Sequence, residues 1–143
     1  MNQYAVVLPL LVVLLIGIWE VGRIVEVQQL LTNAVREGGR QASTGVKTTS
    51  EVKDAVVRYL QVNGITSVSA SDVTVTHITS SARSDPTAAN QLDQFRVTVT
   101  IPFSSVRWVI LNQITSASTL SASADWYSMR DIPITVNASI PLQ

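Results

Sequence analysis

The sequence predicts an α+β protein: a long N-terminal helix joined to a small head, in which one helix lies on an antiparallel sheet of about four strands. Three observations carry this. Residues 1–19 hold no charged side chain, and a helical spacing of apolar residues continues beyond them to about Ser43. Thr48-Thr-Ser-Glu51 reads as a capping box, a hydroxyl followed three residues later by a carboxylate, and opens a second apolar-periodic stretch. Beyond Gly64 the apolar period falls from 3.6 to 2. The division that follows is a long helix in residues 1–45 and an α+β head in residues 46–143.

Composition narrows the function classes. A chain of 143 residues is one folded domain at most. Lys plus Arg is 10 and Asp plus Glu is 10, so the net charge is 0 and there is no electrostatic footprint for nucleic acid. Cysteine is absent, which excludes disulfides, thiolate metal sites and a cysteine nucleophile. The single histidine, His77, excludes imidazole-rich metal centres, and the expectation is neither metal nor cofactor. Mean hydropathy is +0.28, high for a soluble domain. The excess comes from the N-terminus.

From Tyr4 to Trp19 nearly every residue is apolar, and the first charge is Glu20. A membrane span needs about 17–25 residues, so the stretch is just long enough. A secretory signal peptide fits less well. No Lys or Arg precedes the run, no small-x-small cleavage site follows it, and the helical pattern continues. A buried core helix also fits less well, since a head this small does not readily surround such a run. Val21, Ile24, Val25, Leu31 and Val35 keep helical spacing, interrupted by Gln28, with Ala34, Gly38 and Ala42 along a neighbouring stripe. Glu20/Arg23, Arg23/Glu26 and Glu37/Arg40 sit three residues apart, which supports a helix modestly. One helix over about Tyr4–Ser43 would reach roughly 60 Å. Pro9 removes an N–H and is expected to loosen it near Ala5–Leu8.

In the head, Val52, Ala55, Val56, Tyr59 and Leu60 mark one face of a second helix over about residues 50–62, stopped by Asn63-Gly64. Four runs then alternate. They are Val73–Thr79, Phe95–Phe103, a third with Leu120, Ala122, Ala124 and Trp126 on one face, and a fourth with Ile132, Ile134, Val136, Ala138 and Ile140. They read as a one-sided antiparallel sheet with the second helix over its apolar face. This head is expected to close its own core. Ser80–Asp93 is a polar hairpin loop. Ser104–Ser118 carries Trp108, Val109, Ile110 and Leu111, too apolar for a solvated loop, and is either a short helix on the core or a contact surface.

The search for chemistry yields no catalytic residue. His77 sits mid-strand between threonines and reads as a half-buried strand histidine. Asp125 beside Trp126 reads as a solvent-face carboxylate rather than a glycosidase acid. Gly38-Gly39 follows a helix and lacks the phosphate-loop pattern, so it reads as close helix packing or a local bend. Asn137-Ala-Ser139 matches a glycosylation sequon, a weak signal by itself.

Gln3-Tyr-Ala-Val-Val-Leu-Pro-Leu-Leu11, Gly17-Ile-Trp-Glu-Val-Gly-Arg23 and Gln29-Leu-Leu-Thr-Asn-Ala-Val-Arg-Glu-Gly-Gly-Arg-Gln-Ala42 together resemble the TadE-like family of tight-adherence (Tad) pilus proteins, relatives of type IV pilins. That family reads approximately E-F-A-L-V-L-P-L-L, then G-I-I-E-F-G-R, then Q-x-L-T-N-A-A-R-E-G-A-R-x-A. Leu120–Asp131 is similar, more weakly, to the family's alternating strand ending in M-R-x-E. One departure is Gln3, standing where the family places a Glu that registers subunits against a neighbour's N-terminal amine. Gln accepts a hydrogen bond without carrying charge. Two readings stay open: a numbering that starts at or near a processed end, and a variant inserted without that processing.

The resemblance implies a pilin-like structural subunit, minor or filament-forming, and no enzyme. Implied partners are identical or related pilin subunits, the pilus assembly machinery and, before assembly, the inner membrane. The implied location is a single-pass inner-membrane protein with an extracytoplasmic head, then an extracellular pilus. The candidate assembly residues are Gln3, Tyr4, Pro9, Gly17, Glu20, Gly22, Arg23 and Trp108. Glu20 and Arg23 are read as a boundary pair, the glycines as points of close approach, and Trp108 as an aromatic anchor. The competing expectation is a membrane-tethered extracytoplasmic binding module. A packing stripe over residues 21–42 counts against it, because a mere tether needs none.

Overall fold

A computed structural model describes residues 4–80, 82–107 and 119–130. Helix α1 spans Tyr4–Ser43 and α2 spans Thr49–Val62. Three strands follow: β1 Val73–His77, β2 Gln94–Pro102 and β3 Thr119–Tyr127, with short 3-10 turns at Ala70–Asp72, Pro86–Ala88 and Phe103–Ser105. The sheet order is β1-β2-β3 and both pairings are antiparallel, with Val75 opposite Val97 and Val97 opposite Ala124. The architecture is the expected α+β one. The fourth alternating run, residues 132–140, and its sequon lie outside the described residues.

The helix forms as one piece of 40 residues and runs through Pro9 without interruption. It ends where Gly45, at φ +66°, takes the left-handed conformation and donates its N–H to Ala42 at 3.2 Å. The second helix starts on the predicted box. The Thr48 N–H reaches Glu51 Oε2 at 2.8 Å, and the Glu51 N–H reaches Thr48 Oγ1 at 3.4 Å. Strand β1 is two residues shorter than its alternating run. Ile78 still donates to the Gln94 carbonyl at 2.7 Å, but the Gln94 N–H turns to the Thr79 hydroxyl at 2.8 Å. A side chain thus takes over from the ladder and ends it.

The core unites both helices with one face of the sheet. From α1 come Val27, Leu31, Ala34, Val35 and Ala42, from α2 Val52, Val56 and Leu60, and from the sheet Val97, Val99, Ile101, Leu120 and Ala122. The rear half of α1 is therefore part of the head, not a stalk beneath it. The packing predicts that a chain beginning at residue 46 would open this core, whereas one that keeps the helix from Glu20 onward would retain it.

Gly38 and Gly39 are where α1 meets the sheet. A Cβ at Gly38 would stand 2.5 Å from Val56 Cγ2 and 3.3 Å from Val97 Cγ1. At Gly39 it would fall inside the indole ring of Trp126. Gly38-Gly39 is thus close packing, as its sequence context indicates. Replacing Gly by Ala in a helix normally gains up to about 1 kcal/mol. Here overpacking, typically about 1–3 kcal/mol, outweighs that gain. Gly39→Ala is expected to lower the melting temperature of the full chain in detergent, and Gly38→Ala to lower it less. Gly17→Ala and Gly22→Ala are expected to hold or raise it, since nothing lies within 4 Å of a Cβ at either.

Asp85 ties the β1–β2 loop to α2. Its carboxylate accepts from the Thr87 N–H at 3.0 Å, the Thr87 hydroxyl at 2.8 Å and the Thr49 N–H, in the first turn of α2, at 3.3 Å. Burial pushes this carboxyl up, but the hydrogen bonds from Thr87 and Thr49 outweigh it and hold the group below its usual value. A carboxyl depressed in the native state binds fewer protons there than when unfolded. Its stabilisation is therefore complete above the unfolded value of about 3.9 and is lost as pH falls through the lower native one. Melting temperature is expected to drop as pH falls below about 4. The drop should be shallower in Asp85→Asn, which keeps an acceptor oxygen and loses the titration.

Candidate assembly surface

Helix α1 changes character along its length. Residues 4–15 are exposed without exception, Ile16 and Gly17 are partly covered, and Ile18 and Trp19 are exposed again. Leu8 is 66% exposed, Leu15 64% and Trp19 61%. A globular protein in water does not present such a continuous apolar surface without a partner. By length and composition the helix can cross a membrane, and its apolar part is almost wholly uncovered by the rest of the chain. Tyr4, Pro9 and Gly17 lie in this part. Gly22 lies just beyond it, on the exposed side.

Glu20 is the first buried residue of the helix, 5% exposed. It sits where the bare apolar part ends and the packed part begins. Arg23 lies one turn on, its side chain 11% exposed. Its Nε donates to the Val106 carbonyl at 3.0 Å and its Nη1 to Glu26 Oε2 at 2.8 Å. The guanidinium thus bridges the helix to the segment that follows β2. Below the boundary, exposed residues of α1 are apolar. Above it Val21 and Val25 are still exposed, and the exposed side then carries Gln29, Asn33, Arg36 and Arg40. Gln3 and Trp108 lie outside the described residues.

Two features escaped the sequence reading. Gln28, set apart from the apolar stripe, donates Nε2 to the Ser121 carbonyl at 2.8 Å and fastens α1 to the margin of β3. His77 is buried at the end of β1, stacked on Phe95 with ring centroids 4.6 Å apart. Its Nδ1 donates to the Ser80 carbonyl, and its Nε2 lies 3.2 Å from Asp93 Oδ2. Arg83 Nη2 approaches the same oxygen at 3.4 Å, and the Asn90 N–H donates to it at 2.8 Å. This cluster ties the end of β1 to the far end of the β1–β2 loop. Asp125 is on the solvent face, as expected. There it accepts Arg96 Nε at 2.7 Å and Nη2 at 2.8 Å, and the hydrogen bond from Arg96 holds its carboxyl below the usual range.

The contrast between Glu20 and Glu26 is testable in the detergent-solubilised full chain. A buried carboxylate is retained only with compensating hydrogen bonds, so removing it leaves its surroundings unsatisfied. Glu20→Ala is expected to cost about 1–3 kcal/mol. Glu26→Ala, whose side chain is 55% exposed, is expected to cost about 0.5 kcal/mol or less. Equal effects in a thermal melt would remove Glu20 from its place at the boundary.

Comparison with known proteins falls on the same helix. No curated protein and no solved structure matches the chain. Residues 3–40, about a quarter of the sequence, match the family model described as TadE-like protein. The match takes in the bare apolar part, the Glu20–Arg23 boundary and the Gly38-Gly39 contact. The TadE-like pilus family is a structural one, and an apolar N-terminal helix fits a membrane-anchored protein. The chain is thus similar to TadE-like proteins over residues 3–40.

Proposed function

We propose that this protein is a pilin-like structural subunit of a Tad-type pilus, held in the inner membrane by residues 4–19 before assembly and packed through the same residues against neighbouring subunits after it. One observation carries the reading: a single unbroken helix is bare and apolar at one end and part of the head's core at the other. A flexible tether would serve a membrane-bound binding module equally well. A rigid connection serves an assembly in which the helix fixes where each head sits. The apolar part then meets lipid first and protein second, without an intervening exposure to water. Helix association in lipid depends on close approach rather than on a hydrophobic drive. Gly17 and Gly22 offer such approach on a surface that nothing in the head covers.

Substitution inside the bare part tests this in the producing cell. A Lys near the middle of a span costs about 2.5–3.5 kcal/mol on insertion. Leu11→Lys is expected to reduce membrane partition and remove the subunit from sheared surface filaments, with the melting temperature of the head unchanged. Val62→Lys, at an exposed head position, is expected to affect neither. Immunogold electron microscopy of an epitope-tagged chain reads the outcome. Filaments that carry the Leu11→Lys subunit at the parental density would refute the proposal.

A further inference from the structure

The end of α2 carries the one asparagine of this chain that a glycine follows, Asn63-Gly64. Such a pair invites a reaction between side chain and backbone. Glycine has no Cβ to crowd its own nitrogen, so that nitrogen has free access to the preceding carboxamide carbon. Asn63 and Gly64 are both exposed, and a Cβ at Gly64 would meet nothing within 4 Å. Water therefore reaches the pair.

The fold ties up both reacting groups. Gly64, at φ +89°, donates its N–H to the Gln61 carbonyl at 3.1 Å, and Ile65 donates to the Leu60 carbonyl at 2.9 Å. Together these bonds make a Schellman turn, and the two apolar residues that accompany it, Leu60 and Ile65, are both in the core. Asn63 Nδ2 donates to the Tyr59 carbonyl at 2.7 Å. At Asn63 ψ is 16°, which turns the Gly64 nitrogen away from the side-chain carbon. Reaction needs these bonds released and the two atoms brought to the same side of the Cα–C bond.

We propose that Asn63-Gly64 is a latent deamidation site, which this turn keeps closed and which opening of the turn commits. Once the turn frays, the Gly64 N–H loses its proton to water and the nitrogen attacks Asn63 Cγ. The N–Cγ bond forms, the Cγ–Nδ2 bond breaks, and Nδ2 leaves as ammonia with a proton from water. A second water opens the cyclic imide at either carbonyl, giving aspartate or isoaspartate, with no change of oxidation state. The product does not restore the cap. A carboxylate has no hydrogen to donate to the Tyr59 carbonyl. Its charge also stands at the C-terminal end of a helix, where negative charge is disfavoured. The change is thus one-way and records that α2 has opened in that molecule. It does not depend on how α1 assembles.

The full chain in detergent is held in mildly alkaline buffer at physiological temperature, beside a synthetic peptide of residues 57–69. Mass spectrometry of proteolytic fragments reads the replacement of NH2 by OH at each asparagine, and enzymatic methyl transfer counts isoaspartate. Asn63 is expected to deamidate at least about tenfold slower in the chain than in the peptide. That slowing should match the protection of the Gly64 N–H against hydrogen exchange within about threefold, because both need the same opening. Ile65→Ala, which loosens the turn, is expected to raise the rate in the chain at least about threefold more than Val99→Ala, which loosens the sheet. Asn33, inside α1 and followed by alanine, should stay unmodified. Equal rates in chain and peptide would mean that the turn does not close the site. An unmodified peptide would mean that the pair does not react. Equal effects of Ile65→Ala and Val99→Ala would mean that the site answers to global unfolding alone. Each of these results overturns the proposal.

Discussion

The contact between Gly38-Gly39 and the sheet sets the relation of every other part. With no side chain at these positions, α1 settles against Val56, Val97 and the Trp126 indole at a distance that a methyl group would prevent. That approach lets Leu31, Ala34, Val35 and Ala42 share one core with α2 and β2. It also fixes the helix axis relative to β3, so that Gln28 reaches Ser121 and Met129 reaches Ser43. The direction in which the apolar half leaves the head is a consequence of this packing, because the helix continues without a break.

Along that helix the surroundings change once. Residues 4–15 suit lipid or the interior of an assembly, and the buried residues after Val27 suit a protein core. Glu20 and Arg23 occupy the change. A charge drawn deeper into lipid costs several kcal/mol, so charged residues at this point suit the end of an apolar part that enters a membrane. The match to TadE-like proteins spans this whole gradient, and the head beyond it lies outside the match.

Local features were readable in the sequence because local rules govern them. The limits Tyr4–Ser43 follow from an unbroken run of helix-compatible residues ended by a glycine, and the start of α2 follows from the Thr48/Glu51 box. Alternation located β2 and β3 to within a residue or two. Partners distant in sequence were not readable. Gly38-Gly39 signalled close packing, but nothing local pointed to Trp126 as the residue that fills the space. Gln28 read as a polar gap, and only the position of β3 gives its amide an acceptor. His77 read as a half-buried residue in mid-strand, whereas it is buried and ends β1. Asp93, from the far side of a long loop, was not visible as its neighbour. The expectation that the head closes its core from residue 46 onward took no account of α1, because an amphipathic stripe does not disclose which surface it will cover.

Amide hydrogen exchange on the detergent-solubilised full chain tests most directly whether the rear half of α1 and the sheet form one cooperative unit. Residues 24–43 are predicted to exchange only with global unfolding, at the same free energy as Val97 and Val99 in β2. Exchange of residues 24–43 well before β2, with the sheet still protected, would show a helix merely leaning on the head and would contradict the account.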